Sequence, residues 1–320
     1  MCIEVKSDCS SPDSEVQMIH EFDNCLAELI TSRPAFLSDL IKTLMDILIL
    51  LDKYPYICKL PVAWNMNVYK SEWKKLGRGL SSDCFGSTDT ALLVFVSSNL
   101  RYITHQTIRK FDFRLELMMK AGDHQISPKV YKTGVVFDHC GYTTQWFFAS
   151  WMENGGIPLE KYLQAHGETL TPLMKIKLAL DLVRRVHRLH NKMCVVHHDL
   201  HPMNVLVLVN KQGVSTRIID YDLSRMMEDI VPEQIRISSQ DGHKFPHVPP
   251  ECYCTEVYKI IRSHSSADVW ALGCLLGKII PDMWHMVRPL IMAMKAKNPR
   301  DRPSLVEVEG VLKMVMYDLS

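Results

Sequence analysis

The run Val195-Val-His-His-Asp-Leu-His-Pro-Met-Asn-Val-Leu-Val207, followed eleven residues later by Ile218-Ile-Asp-Tyr-Asp-Leu-Ser224, constrains this chain more than any other part of it. Two apolar runs flank a polar turn that holds Asp199, with Asn204 five residues further on, and a third apolar run ends at Asp220. Short apolar runs bounded by turn residues read as strands, so the pattern is two strand-loop units carrying two acids and an amide. Phosphoryl transfer needs such a set. The phosphates of a nucleotide require a metal, the metal requires oxygen ligands, and an acceptor hydroxyl requires a carboxylate to orient it and take its proton. The alternative is that His197, Asp199 and Asn204 only form a turn, since Asp, Asn and Pro all favour turns.

These residues resemble two protein-kinase motifs. His197-His198-Asp199 with Asn204 resembles the catalytic loop H-R-D-x-x-x-x-N, and Asp220-Tyr221-Asp222 resembles the metal-binding D-F-G. Three more follow in family order. Val248-Pro-Pro-Glu251 resembles the A-P-E that closes an activation segment, Asp268-Val-Trp-Ala-Leu-Gly273 the D-x-W-x-x-G helix, and Asn298-Pro-Arg-Asp-Arg-Pro-Ser304 the N-P-x-x-R-P-S near the end of the domain. The resemblance extends over roughly residues 70 to 315. It implies an α+β, bilobal fold with a small β-rich lobe and a large helical lobe from about Gly155 onward. It also implies ATP and Mg²⁺ as cofactors, Asp199 as catalytic base, Asn204 and Asp220 as metal ligands, and a buried ion pair between Glu251 and Arg302. Two weaker resemblances touch the same loop. Asp199 to Asn204 is similar to the loop of aminoglycoside- and choline-type small-molecule kinases, which lack the later motifs, and Pro202 to Leu206 with Asp220 to Ser224 resembles herpesvirus-encoded protein kinases.

Composition narrows the class without naming a partner. A chain of 320 residues with 47% hydrophobic residues is long enough for a two-lobed catalytic domain plus an extension. The formal net charge of +1 and the lack of a Lys/Arg block argue against nucleic acid as the main partner and reveal no other; a protein substrate, of unknown identity, is what the kinase resemblance implies. Of ten cysteines, only Cys252 and Cys254 are close, and no C-x-x-C pair exists for zinc. The N-terminal Met1 to Asp8 is polar and carries no apolar signal core, which points to reduced thiols and an intracellular, cytoplasmic or nuclear, protein. The most apolar stretch, Leu44 to Leu51, is interrupted by Asp46 and falls far short of the roughly 18 residues of a membrane span, so it reads as a buried helix.

Along the chain, residues 1–20 are rich in Ser, Asp and Glu and read as disordered, and residues 21–70 as a helical extension, a packing brace or docking element. The small lobe should begin near Trp73. Leu76 to Gly86 resembles the glycine-rich loop, with Gly77 and Gly79 letting backbone N–H groups approach the phosphates. The next apolar strand, Ala91 to Val96, should end in the lysine that grips the phosphates, yet it runs into Ser97-Ser98; the nearest cations are Lys74, Lys75, Arg78 and Arg101. Ile108 to Met119 reads as the helix that supplies the partner of that lysine, Glu116 first and Asp112 second, although Glu116 reads equally as a solvated helix carboxylate. Val135 to Phe137 and Trp146 to Met152 read as strands leading to a hinge that brings adenine to Met152, Glu153 and Asn154. Leu173 to His190 is helical, with Ile176, Leu180, Val183 and Val186 on one stripe, its start marked by Thr171 and Pro172.

Three departures from the resembled pattern bear on mechanism. His198 stands where an arginine commonly binds a phosphorylated activation segment, so Ser238 and Ser239 lack that partner. His201 stands where a lysine commonly approaches the transferred phosphate, and Asp222 replaces the glycine of D-F-G. The reading is therefore a serine/threonine protein kinase built on Asp199, Asn204 and Asp220. The alternative is a pseudokinase acting as a nucleotide-binding or scaffolding regulator, and a small-molecule kinase is the third possibility.

Overall fold

The structure, a computed structural model, describes residues 63–65, 74–78, 82–87, 89–95, 105–140, 143–210, 213–229, 237–238, 244–254, 264–281 and 284–320. The chain divides into two compact units, Met1–Cys58 and Lys59–Ser320, and every described residue lies in the second. The expectations for residues 1–20 and for Leu44 to Leu51 fall outside the described residues, as do Gly79, Val96, Arg101 and Ser239.

The small lobe is a six-stranded sheet with one helix against it. Its strands are β1 (Ala63–Asn65), β2 (Lys74–Arg78), β3 (Asp83–Gly86), β4 (Thr90–Phe95), β5 (Val130–Cys140) and β6 (Thr143–Glu153), and helix α1 (His105–Asp123) lies between β4 and β5 in the chain. Spatial order is β1-β5-β6-β4-β3-β2. All neighbours are antiparallel except β1, which pairs in parallel with Val135 to Phe137 of β5. Residues 63–65, within the 21–70 stretch expected to be helical, are thus a strand, and the rest of that stretch falls outside the described residues. Pairing with a segment 72 residues further on in the chain (Ala63 opposite Val135) outweighs local preference there.

The inner face of the sheet and α1 share an aromatic core. Phe111 stacks on Phe148 of β6 with ring centroids 4.5 Å apart and meets Phe95 of β4 edge-on at 4.6 Å. Ile108, Phe111, Leu115 and Met118 are all buried. Their three- and four-residue spacing is the helical stripe that fixes which side of α1 faces the sheet.

The hinge follows β6. Asn154 donates from Nδ2 to the Ser87 carbonyl at 2.6 Å, and its Oδ1 accepts from the Gly156 N–H at 3.0 Å. Gly156 has φ +95°, and a Cβ there would lie 2.1 Å from the Val207 carbonyl oxygen, so only glycine fits where the chain crosses Val207. Met152 is buried opposite Ala91 of β4.

The large lobe then contributes β7 (Ile157–Pro158), α2 (Leu159–His166), α3 (Pro172–Met193), β8 (Val195–Val196), β9 (Val205–Asn210), β10 (Gly213–Ile218), β11 (Arg225–Met226), β12 (Ile237–Ser238), β13 (Tyr253–Cys254), α4 (Ser266–Ile279), α5 (Trp284–Met294) and α6 (Leu305–Asp318). Helix α3 is its axis, in contact with α6, α4 and β10. Thr171 Oγ1 accepts from the Met174 N–H at 3.2 Å, with Pro172 in the first turn, as the sequence implies. Ile176, Leu180, Val183 and Val186 are buried. Asp181 on the same helix accepts from the Thr216 N–H at 2.6 Å and hydroxyl at 2.7 Å, tying α3 to β10. Helix α6 opens with a capping box between Ser304 and Glu307. The lobes are thus the small β-rich and large helical ones of an α+β fold. Among the described residues no helix is long and apolar enough to cross a membrane.

Candidate active site

Asp268 of α4 is the buried post on which the catalytic loop hangs. Its Oδ2 accepts from the His197 N–H at 2.8 Å and lies 2.8 Å from His190 Nε2, and its Oδ1 accepts from the His198 N–H at 3.0 Å. Burial works against the charge, but the bond from His190 and the nearby imidazoles hold the carboxyl below its ordinary range. The loop is thereby fixed through backbone donors rather than by the side chain of His198. His198 itself has φ +66°, a conformation that few non-glycine residues adopt.

Asp199 and Asn204 are joined directly. Asn204 Nδ2 donates to the backbone carbonyl of Asp199 and to its Oδ2, both at 2.9 Å, which leaves the amide oxygen pointing elsewhere. The second acid of the set follows by backbone register, because the Ile219 N–H donates to the Asn204 carbonyl at 3.0 Å and places the backbone of Asp220 near Asn204. Asp220 has φ +68°, a second left-handed residue; such strained positions cluster at functional sites. Tyr221 behind it is wholly buried, its hydroxyl paired with Ser127 Oγ, which donates to the Ile218 carbonyl at 2.8 Å. The structure therefore joins Asp199 and Asn204 directly and holds Asp220 one residue beyond a backbone bond to Asn204.

Two imidazoles flank Asp199. His247 Nε2 lies 3.1 Å from Oδ1 and His201 Nε2 lies 3.6 Å from Oδ2, the two rings 5.1 Å apart. Burial opposes the charge of Asp199, yet these imidazoles hold its carboxyl well below the usual carboxylate range. It is ionised at neutral pH, an acceptor for a hydroxyl proton. His247 has no sequence signal, being 48 residues from Asp199 in a segment without a repeating pattern.

The small-lobe candidates are held as follows. Gly77 lies in β2 opposite Cys84, at a bulge between Lys75 and Gly77, with open space where a Cβ would stand. The six residues of β4, Thr-Ala-Leu-Leu-Val-Phe, contain no cation. Lys75 is taken by Asp83 at 3.0 Å. Glu116 pairs with Lys120 of its own helix instead of a strand lysine. The residue that α1 presents to the D-Y-D segment is Arg114, in an ion pair with Asp222, its guanidinium carbon 5.0 Å over the Phe95 ring of β4. Helix phase explains the exchange: residues two apart on a helix point in widely different directions, so with Arg114 turned inward Glu116 turns away. The signal lay in the stripe Ile108-Phe111-Leu115-Met118, since Arg114 is three residues from Phe111 and four from Met118.

The donor set suits magnesium carried in with a nucleotide. Among the described residues no group of three or more His, Cys, Asp or Glu could hold a metal unaided. Mg²⁺ bound with a nucleotide needs only one or two protein oxygens, the rest coming from phosphates and water. Asn204 Oδ1 and the Asp220 carboxylate are of that kind.

Comparison with known proteins agrees with this architecture. Residues 65–283 match the family model described as protein tyrosine and serine/threonine kinase, and the chain belongs to that family. It is 26% identical over 225 residues to the human serine/threonine-protein kinase tousled-like 2, covering 63% of this chain and 27% of that protein. The Xenopus tropicalis counterpart is also 26% identical over 225 residues, with 30% of its length covered, and tousled-like 1-B of Danio rerio is 26% identical over 224 residues, with 28% covered. The chain thus spans less than a third of the length of these relatives.

Proposed function

We propose that the protein is an ATP-dependent protein kinase that phosphorylates serine or threonine hydroxyls of a protein substrate. The observation that carries the reading is the bonded pair of Asp199 and Asn204, with Asp220 one residue beyond the Ile219–Asn204 backbone bond. In the transfer, the bond between the γ-phosphorus and the ADP oxygen breaks, a bond from the substrate oxygen to phosphorus forms, and the hydroxyl proton passes to Asp199. Asn204 orients Asp199 through its two Nδ2 bonds. Asn204 and Asp220 would hold the magnesium, which when bound neutralises charge on the phosphates. The serine/threonine assignment rests on the names of the relatives and on the resemblance.

The test is nucleotide-dependent stabilisation. Saturating Mg-ATP at about 100 times its dissociation constant should stabilise the wild type by about 2.7 kcal/mol. Asp220→Ala should lose that gain while melting normally without nucleotide. A melting shift with Mg-ATP equal to that of the wild type would remove Asp220 from the metal site. A second reading, a pseudokinase that scaffolds partners, is favoured by one observation, the absence of a cation on β4.

The reading includes activity that does not require a phosphorylated activation segment. Burial chiefly pulls the His198 pKa below its ordinary value, with Asp268 pulling the other way, so the imidazole is neutral at pH 7 and offers little charge to a phosphate. The backbone of Ser238 is paired with Cys254 in the short ladder of β12 and β13. Phosphatase treatment, and Ser238→Ala with Ser239→Ala, should change turnover by less than about twofold. A drop of about tenfold, roughly 1.4 kcal/mol in the barrier, would show that the segment is phospho-regulated.

A further inference from the structure

Phosphate binding in this fold needs a fixed positive charge at the back of the nucleotide site, and β4 has none. The guanidinium of Arg114 occupies the junction of β4, α1 and the Asp220-Tyr221-Asp222 segment. It lies against the Phe95 ring at 5.0 Å and pairs with Asp222, two residues from the acid assigned to the metal. Its side chain is only 15% exposed, and three aromatic rings, Phe95, Phe111 and Phe148, fix the surface it rests on. Burial lowers its pKa to about 10, countered by the charge of Asp220, so it is a full cation at neutral pH and close enough to Asp220 to feel that charge.

Building on the nucleotide-binding reading above, we infer that Arg114 supplies the phosphate-binding cation that the strand lacks, delivered from helix α1 and held in position by Asp222. A guanidinium carries five N–H donors in a planar fork that matches phosphate oxygens. One edge can meet Asp222 while another meets a phosphate. Asp222, which takes the place of a glycine in the resembled pattern, thereby gains a purpose: it neutralises and orients a buried arginine in the absence of nucleotide. The same assignment accounts for Glu116, which has no strand lysine to hold and pairs with Lys120.

The experiment measures affinity for Mg-ATP and for adenosine, which has no phosphates, by calorimetric titration. Arg114→Met should weaken Mg-ATP at least about tenfold and leave adenosine within about twofold, while Arg114→Lys should recover most of the loss. Removing one partner of a partly buried pair can unfold a protein, so the decisive comparison is Asp222→Asn against Arg114→Met with Asp222→Asn, in which both charges are removed together. The double variant should bind Mg-ATP at least about tenfold more weakly than Asp222→Asn alone, with adenosine equal in both. Equal Mg-ATP affinity in that pair would overturn the role of Arg114 and leave the kinase reading standing. A wild type that binds neither Mg-ATP nor adenosine would overturn both.

Discussion

Asp199→Asn is expected to lower phosphoryl-transfer turnover by about 10²- to 10⁴-fold, the range for loss of a positioned general base, or about 2.7–5.5 kcal/mol in the barrier. The substitution is nearly isosteric. The asparagine Oδ1 can still accept from Asn204 Nδ2, so the loop should keep its shape and Mg-ATP should still raise the melting temperature. What disappears is the ionised oxygen that His201 and His247 hold in its charged form. An amide cannot take the hydroxyl proton. Measured beside the wild type with purified protein and a generic serine-containing substrate, turnover within about threefold of wild type would show that Asp199 is not the base.

Arg302→Ala should cost about 3–5 kcal/mol of stability, the range for breaking one side of a buried ion pair. Arg302 is engaged on every edge: Nη1 and Nη2 donate to Glu251 Oε1 and Oε2 at 2.6 Å each, Nη1 also donates to the Ser266 carbonyl at 2.8 Å, and Nε donates to the Ala296 carbonyl at 2.9 Å. Its carbon ζ lies 5.1 Å over the Trp270 ring. Truncation strands the Glu251 carboxylate and two backbone acceptors together. The interior beside it is dry enough that burial, aided by the Glu251 charge, pushes the Cys252 thiol up to about 12. Glu251 keeps a quarter of its side chain exposed, which places the cost at the lower end. In a domain of this size that is a fall of about 6–12 °C in melting temperature. Arg300→Ala, at an exposed position two residues away, should change stability by no more than about 0.5 kcal/mol. Equal melting temperatures for the two variants would refute the pairing.

The second half of the chain was readable because its signals are local or carried by residue identity. Thr171-Pro172 starts a helix by chemistry confined to one turn, and the stripe from Ile176 to Val186 needs only the helical period. Asp199, Asn204 and Asp220 stood in recognisable order. The small lobe was harder. Strands β4, β5 and β6 stood out as apolar runs, but the cations named for the missing lysine, Lys74, Lys75, Arg78 and Arg101, are the ones near in sequence, whereas the pair of Arg114 with Asp222 follows from the phase of α1. Arg114 was legible from that phase and not from motif spacing. His247 was not legible at all, since its approach to Asp199 depends on how the segment between β11 and β13 is laid down. Strand β1 was missed for the same reason, because its three residues gain their conformation from a distant partner.

That parallel strand has a consequence for how the protein can be cut. In the sheet order β1-β5-β6-β4-β3-β2, the short β1 stands outside β5, a strand of 11 residues, and covers its middle at Val135 to Phe137. A polypeptide shortened to begin near residue 70, where the motifs alone would set the boundary, loses that cover and bares the rim of β5 at Val135 to Phe137. Unpaired rims recruit strands from other molecules, so self-association, rather than loss of any residue around Asp199, is what such a trimmed protein would suffer first.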